Sequence, residues 1–145
     1  MLNHKAVQLA LRNQLLTLSI IPPLTARSWE NKRFVPTVGV EYVAESFDPS
    51  TSKHDGLADI GYVEFTGLYV IDWYGLAGTG TDVADSADAV LALFPPKWSL
   101  LATDGTVVRM RSNPAPYRGG TRKIDGGWTV CSITIPWVCT KNATT

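Results

Sequence analysis

GYVEFTGLYVIDWY, residues 61–74, decides the fold. The stretch runs without proline and is dense in aromatic and β-branched residues, which suit a pleated, half-buried surface. Its odd positions, Val63, Phe65, Gly67, Tyr69, Ile71 and Trp73, form a continuous apolar row interrupted by one glycine. The even positions, Tyr62, Glu64, Thr66, Leu68, Val70, Asp72 and Tyr74, are polar at first and apolar later. Strand side chains alternate between faces, so one face is buried throughout and the other only toward its end. This is the profile of a long central strand with a helix over one side. Gly67 sits in the buried row and predicts a bulge or bend there.

Before this strand, Asn3–Leu18 reads as an amphipathic helix. Val7, Ala10, Leu11, Leu15 and Leu18 make one stripe at helical period, Asn3 is a suitable N-cap, and Leu2 with Val7 forms a hydrophobic staple. Pro22 and Pro23 end it, because neither can donate a backbone hydrogen bond. Residues 38–47 alternate as a strand, with Val38, Val40, Tyr42 and Ala44 on one face and Glu41 and Glu45 on a wet face. Between the two strands, Asp48–Asp59 (DPSTSKHDGLAD) reads as a long exposed loop.

After the central strand, Gly75–Gly80 is a flexible turn. A second helix, capped by Thr81 or Asp82, runs to Phe94 and carries Val83, Ala87, Val90, Leu91 and Phe94 on one stripe. Its early acids, Asp82, Asp85 and Asp88, lie at the end of a helix that favours negative charge. Residues 98–112 make a hairpin about Asp104-Gly105, with Val108 and Met110 inward and Arg109 and Arg111 outward. Asn113–Gly127 reads as a second long loop, basic and glycine-rich. Trp128–Val138 is the last strand, and residues 139–145 are expected to be a flexible tail. The order predicts one domain over 1–145 of α+β class, a largely antiparallel, mixed sheet with two helices packed on one face.

Several function classes lose support. No apolar run reaches the ~20 residues of a membrane helix. The first segment carries Arg12 and Gln14, which argues against a signal peptide. Two histidines and two cysteines, scattered singly, offer no metal-ligand spacing, and no cofactor is expected. Gly75–Thr81 lacks the lysine of a phosphate loop, and Asp82 and Asp85 would repel a phosphate there. His54-Asp55 has no nucleophile at a suitable spacing, and Cys131 falls in an apolar row as a small core residue.

Charge is balanced overall but segregated along the chain. Of thirteen acids, ten lie between Glu41 and Asp88, alongside a single base, Lys53. Between Lys97 and Lys123 there are six bases and one acid, Asp104. Two unlike patches on one chain are what a head-to-tail interface needs. The candidate interface residues are Trp29, Glu30 and Asn31, then Lys53, His54 and Asp55, then Arg109, Arg111, Tyr117, Arg118, Arg122 and Lys123. The basic segment could also touch nucleic acid, although zero net charge predicts poor nonspecific affinity.

The segment order also resembles a known family. An amphipathic helix precedes Trp29-Glu30-Asn31, Phe34, Pro36 and Val40-Glu41-Tyr42-Val43. The strand ending Val70-Ile71-Asp72-Trp73-Tyr74, the glycine turn and the helix with Ala84, Ala87 and Asp88 follow. Asp125-Gly126-Gly127-Trp128 then leads into Ser132-Ile133-Thr134-Ile135-Pro136-Trp137. Together these resemble the tail terminator-like proteins of long-tailed, siphovirus-type bacteriophages. The resemblance implies a structural virion protein of the tail neck, not an enzyme, built in the host cytoplasm. It implies a homo-oligomeric ring, a hexamer, that caps the tail tube, stops tube polymerisation and offers the head a joining surface. Its partners would be the tail tube protein and a head-completion or stopper protein, with transient contact to DNA passing through the lumen. Another neck component, a stopper or adaptor, is the alternative; a small host ligand-binding domain or enzyme is a more distant one.

Overall fold

A computed structural model describes residues 3–22, 26–29, 34–36, 40–55, 62–76 and 83–142. Helix α1 (His4–Leu15) starts at Asn3, whose side-chain oxygen accepts from the Ala6 backbone N–H at 3.2 Å. Val7, Leu11 and Leu15 are fully buried, as their spacing requires. Leu2, the other half of the expected staple, lies outside the described residues. The strands follow as β1 (Arg27–Ser28), β2 (Tyr42–Asp55) and β3 (Tyr62–Leu76). Helix α2 (Val83–Ala92) buries Val83, Ala87 and Val90. Then come β4 (Ser99–Leu101), β5 (Val107–Met110), β6 (Tyr117–Arg118), β7 (Arg122–Ile124) and β8 (Trp128–Asn142).

The eight strands form one mixed sheet in the order β1-β2-β3-β8-β5-β4, with β6 and β7 also on β8. Of the described pairs only β1–β2 is parallel; the others are antiparallel. The predicted α+β class holds, and both helices share one core with the odd positions of β3 and β8. Tyr69, Ile71 and Trp73 of β3 and Cys131, Ile133, Ile135 and Trp137 of β8 meet Leu11, Leu15, Ala87, Val90 and Phe94 there. Among the described residues no helix is long and apolar enough to cross a membrane.

Three expectations need correction. Residues 48–55 are not a loop: β2 continues to Asp55 and pairs with β3 as far as Asp55↔Tyr62. Serine, threonine and lysine disguise the segment because it pairs mainly by backbone, which composition does not reveal. Second, the inward row of β2 is Val43 and Glu45, not Tyr42 and Ala44; Val43 is wholly buried and Glu45 is 6 % exposed. Third, residues 139–142 are not a tail but the end of β8, paired with Tyr62–Phe65. Cys139 is buried, which this pairing explains.

The long loop 113–127 is likewise replaced in part by structure. Tyr117↔Thr134 and Arg118↔Ile133 place β6 on β8, and Arg122↔Val130 through Ile124↔Trp128 place β7 there. A 3₁₀ turn at Asp125–Gly127 then reverses the chain into β8, with Gly126 and Gly127 at φ 84° and 78°. Those angles suit glycine and would strain most other residues.

β3 runs on through Gly67, paired on both sides, and the bulge expected there lies on its neighbour. Register shifts on β2 between Pro49 and Thr51, opposite Gly67 and Thr66. A Cβ on Gly67 would fall 2.5 Å from Trp137 Cζ2 and 2.6 Å from the Asp48 carbonyl oxygen. Glycine is needed here because the Trp137 ring crosses the backbone, where it also stacks on Phe47 with centroids 5.4 Å apart.

Two stability outcomes follow from this packing. Gly67→Ala must displace a packed indole or a strand carbonyl, so it should cost about 1–3 kcal/mol, read as a lower chemical-denaturation midpoint. Ile71→Ala empties a fully buried site in the cluster that also holds Val90, and should cost on the order of 2–5 kcal/mol. A melting temperature unchanged from wild type would contradict the core position of β3.

Candidate interface surfaces

Of Trp29, Glu30 and Asn31, only Trp29 is among the described residues, and it is not at the surface. Trp29 is 6 % exposed and belongs to the core, with the Arg12 guanidinium 4.6 Å over its ring. Glu30 and Asn31 lie outside the described residues. Lys53, His54 and Asp55 are in β2, their backbones opposite Glu64, Val63 and Tyr62. Their position is therefore the far end of a sheet strand rather than a loop tip.

Arg12 serves a second buried group. It is ion-paired with Glu45, whose Oε1 also accepts from Gln8 Nε2 at 3.1 Å and whose Oε2 accepts from the Tyr69 hydroxyl at 2.6 Å. A carboxylate whose side chain is wholly buried is tolerable only when paired and hydrogen-bonded in this way. The alternation at 41–45 suggested a wet face because a lone glutamate normally marks solvent. The signal that reverses it, Arg12 and Gln8 on the inward side of α1, is visible only once the helix is docked.

Other acids of the 41–88 segment are also engaged within the chain. Glu41 accepts from Trp73 Nε1 at 2.7 Å, and Asp72 accepts from the Ser132 hydroxyl at 2.5 Å. Asp88 of α2 takes Arg118 of β6, Nε to Oδ1 at 2.5 Å and Nη2 to Oδ2 at 3.4 Å. Arg118 also donates to the Gly119 carbonyl at 3.0 Å, and the same carbonyl receives the Cys131 thiol at 3.3 Å. Burial pushes the Cys131 thiol up in pKa more than Arg118 pulls it down, so it stays protonated. Arg118 thus fastens β6 to α2, and the acidic and basic segments partly neutralise each other inside one subunit.

The remaining bases separate into two places on β8. Arg122 and Lys123 are exposed on β7, beside Val130 and Thr129. Arg109 is exposed on β5, opposite Val138. With Arg111, Lys97, Ser112, Asn113, Glu64 and Val138 it lines an open groove of about 340 Å³. Tyr117 is half exposed between the two places.

A further surface was not foreseen. The sheet face away from the helices carries an aromatic cluster in which Tyr42 and Tyr74 stack, centroids 4.4 Å apart and 7° from parallel. Trp128 meets Tyr42 edge-on at 5.1 Å, and Phe34 lies 5.1 Å away at a tilt. Burial, then Tyr74 and Asp72, push the Tyr42 phenol up in pKa, and burial, then Asp72, push the Tyr74 phenol up against a smaller downward pull from Arg122, so both remain neutral. Their residues lie in four separated segments, and only register brings them together.

The fold and these surfaces define a scaffold-type arrangement: a two-layer domain with one sheet face that no described helix covers and a charged groove at its flank. A family model described as phage tail terminator protein matches residues 6–137, and the chain belongs to that family. Membership makes it a viral, structural component of the bacteriophage tail, associated with other tail and head parts. The family is structural rather than enzymatic. A search of curated proteins gave no match. One solved structure is 18% identical, with 96% of each chain covered and a TM-score of 0.69, and so shares the fold.

Removing Arg12 would strand the Glu45 charge in the core. Arg12→Ala should cost about 3–5 kcal/mol, measured by urea unfolding. Arg12→Ala with Glu45→Leu, which removes both charges, should recover a large part of that loss.

Proposed function

We propose that this chain forms a ring, a hexamer as the resemblance implies, that caps the tail tube of a siphovirus-type phage. The ring ends tube polymerisation and gives the filled head its docking surface, through a head-completion or stopper protein. Assembly takes place in the host cytoplasm, and DNA leaving the head would cross the lumen with at most transient contact. The observation that carries this reading is the family match across 6–137, joined to a fold whose second sheet face bears no helix among the described residues. Separated basic surfaces and an aromatic face suit a subunit that must meet copies of itself and two other proteins. Aromatic residues and arginines are favoured at protein interfaces.

The test joins mass with function. Light scattering and negative-stain images of the purified protein should show rings, with assembly weakening at high salt because the Debye length is only about 8 Å at physiological ionic strength. Added to polymerising tube protein, the rings should sit at one end and halt growth. A monomer at every concentration would overturn the ring. Rings that bind portals but ignore tube ends would make the protein a different neck component.

A further inference from the structure

We infer that neighbouring copies join side by side across the two flanks of the sheet, the Asp48 flank of one copy entering the Lys97–Arg109–Arg111 groove of the next. This rests on the ring reading above and identifies which surfaces meet.

The groove is the better receptor of the two basic places. Its cations come from different segments and converge: Lys97 has a left-handed φ of 65° and its backbone N–H donates to the Met110 carbonyl at 3.0 Å. Arg109 and Arg111 flank Met110, and Glu64 is the single carboxylate among the described residues of the lining. Three cations against one carboxylate leave a positive excess in a concave site. Apolar surface adjoins it. Val107, 49 % exposed, shares a second cavity with Arg109 and Val138, and Leu101, 73 % exposed, is its cross-strand partner. Phosphates gain nothing from valine and leucine, whereas a protein surface does, so the mixture favours a protein partner over nucleic acid. Arg122 and Lys123, by contrast, are exposed on a short outer strand. Val130 and Val138 separate the two basic places by roughly 26 Å, at about 3.3 Å per residue of β8.

The second copy offers a matching acid at a matching height. Asp48 is exposed on β2, and β2 lies on the other flank of the sheet from β5. Asp48 pairs with Leu68, Leu68 with Pro136, and the Arg111 backbone N–H donates to the Pro136 carbonyl at 3.0 Å. Asp48 and Arg111 therefore lie on the same transverse row of one sheet, Asp48 at one end and Arg111 beside the Lys97 segment at the other. A neighbour placed alongside, without sliding along the strand direction, brings its Asp48 level with this groove. Beyond Ala44, no described strand pairs with the outer edge of β2. Two unlike flanks meeting in this way form a heterologous contact, which gives a ring when the rotation between copies closes.

The experiment is a charge swap read by sedimentation of the full chain. Asp48→Lys alone, and Arg109→Glu with Arg111→Glu, should each weaken association at least tenfold. All three changes in one chain restore opposite charges at every contact and should return association to within threefold of wild type. Arg122→Glu with Lys123→Glu should leave it unchanged. A wild type that never assembles overturns the ring reading itself. A wild type that assembles while the groove variant assembles equally well overturns only this inference. Failure of the swap to rescue, or disruption by the Arg122/Lys123 pair, does the same. So does an unchanged assembly in which the groove variant has lost binding to a short DNA duplex, since the groove would then serve nucleic acid.

Discussion

A buried carboxylate holds the two layers together. Glu45 stands on the inward face of β2 and takes partners from three directions: Arg12 and Gln8 on α1, and Tyr69 on β3. Moving a charge out of water costs several kcal/mol unless its partners are fixed in place. Helix α1 can therefore dock in few ways. Val7, Leu11 and Leu15 supply the area that drives docking, but apolar contact is tolerant of sliding and rotation. The ion pair is not, and Arg12 extends the constraint by lying over Trp29.

Pairing within the chain also governs the surface charge. The sequence separates acids from bases, and the fold gives several of the acids partners within the chain. Asp88 meets Arg118 because β6 runs along β8 beneath α2, and Asp72 meets Ser132 because β3 and β8 are in register. What remains for partner proteins is narrower than the charge count implied. The groove at Arg109 and Arg111, Asp48 on the opposite flank, and Arg122 and Lys123 on β7 are among what the described surface leaves over.

β8 organises the basic half. One of its edges is paired along its length by β3, and the other receives β5, β6 and β7 in turn. The segment 113–127 is thereby spread along a strand instead of gathered at a loop tip. The bases of this half are distributed accordingly, Arg109 beside one end of β8 and Arg122 beside the other. The face of this sheet away from the helices, with Tyr42, Tyr74 and Trp128, is a feature to which residue order gave no clue.

Where a residue's burial follows from its own periodicity, the sequence alone determined the outcome. The alternation of 61–74 set β3 and its inward row, the helical stripes set α1 and α2, and Asp104-Gly105 set the β4–β5 hairpin. Gly67 was readable as a special position because a glycine in an apolar row forgoes the packing that any larger residue would supply. Where position depends on a partner distant in the chain, only the tertiary structure decided. β2 beyond Asp48 and β8 beyond Val138 are polar strands held through their pairing with β3, and β6 and β7 are too short to carry a period. Glu45 and Trp29 went inward because Arg12 was there to meet them. A strand's backbone hydrogen bonds and an ion pair's geometry are made between segments, so residue type at one position cannot encode them.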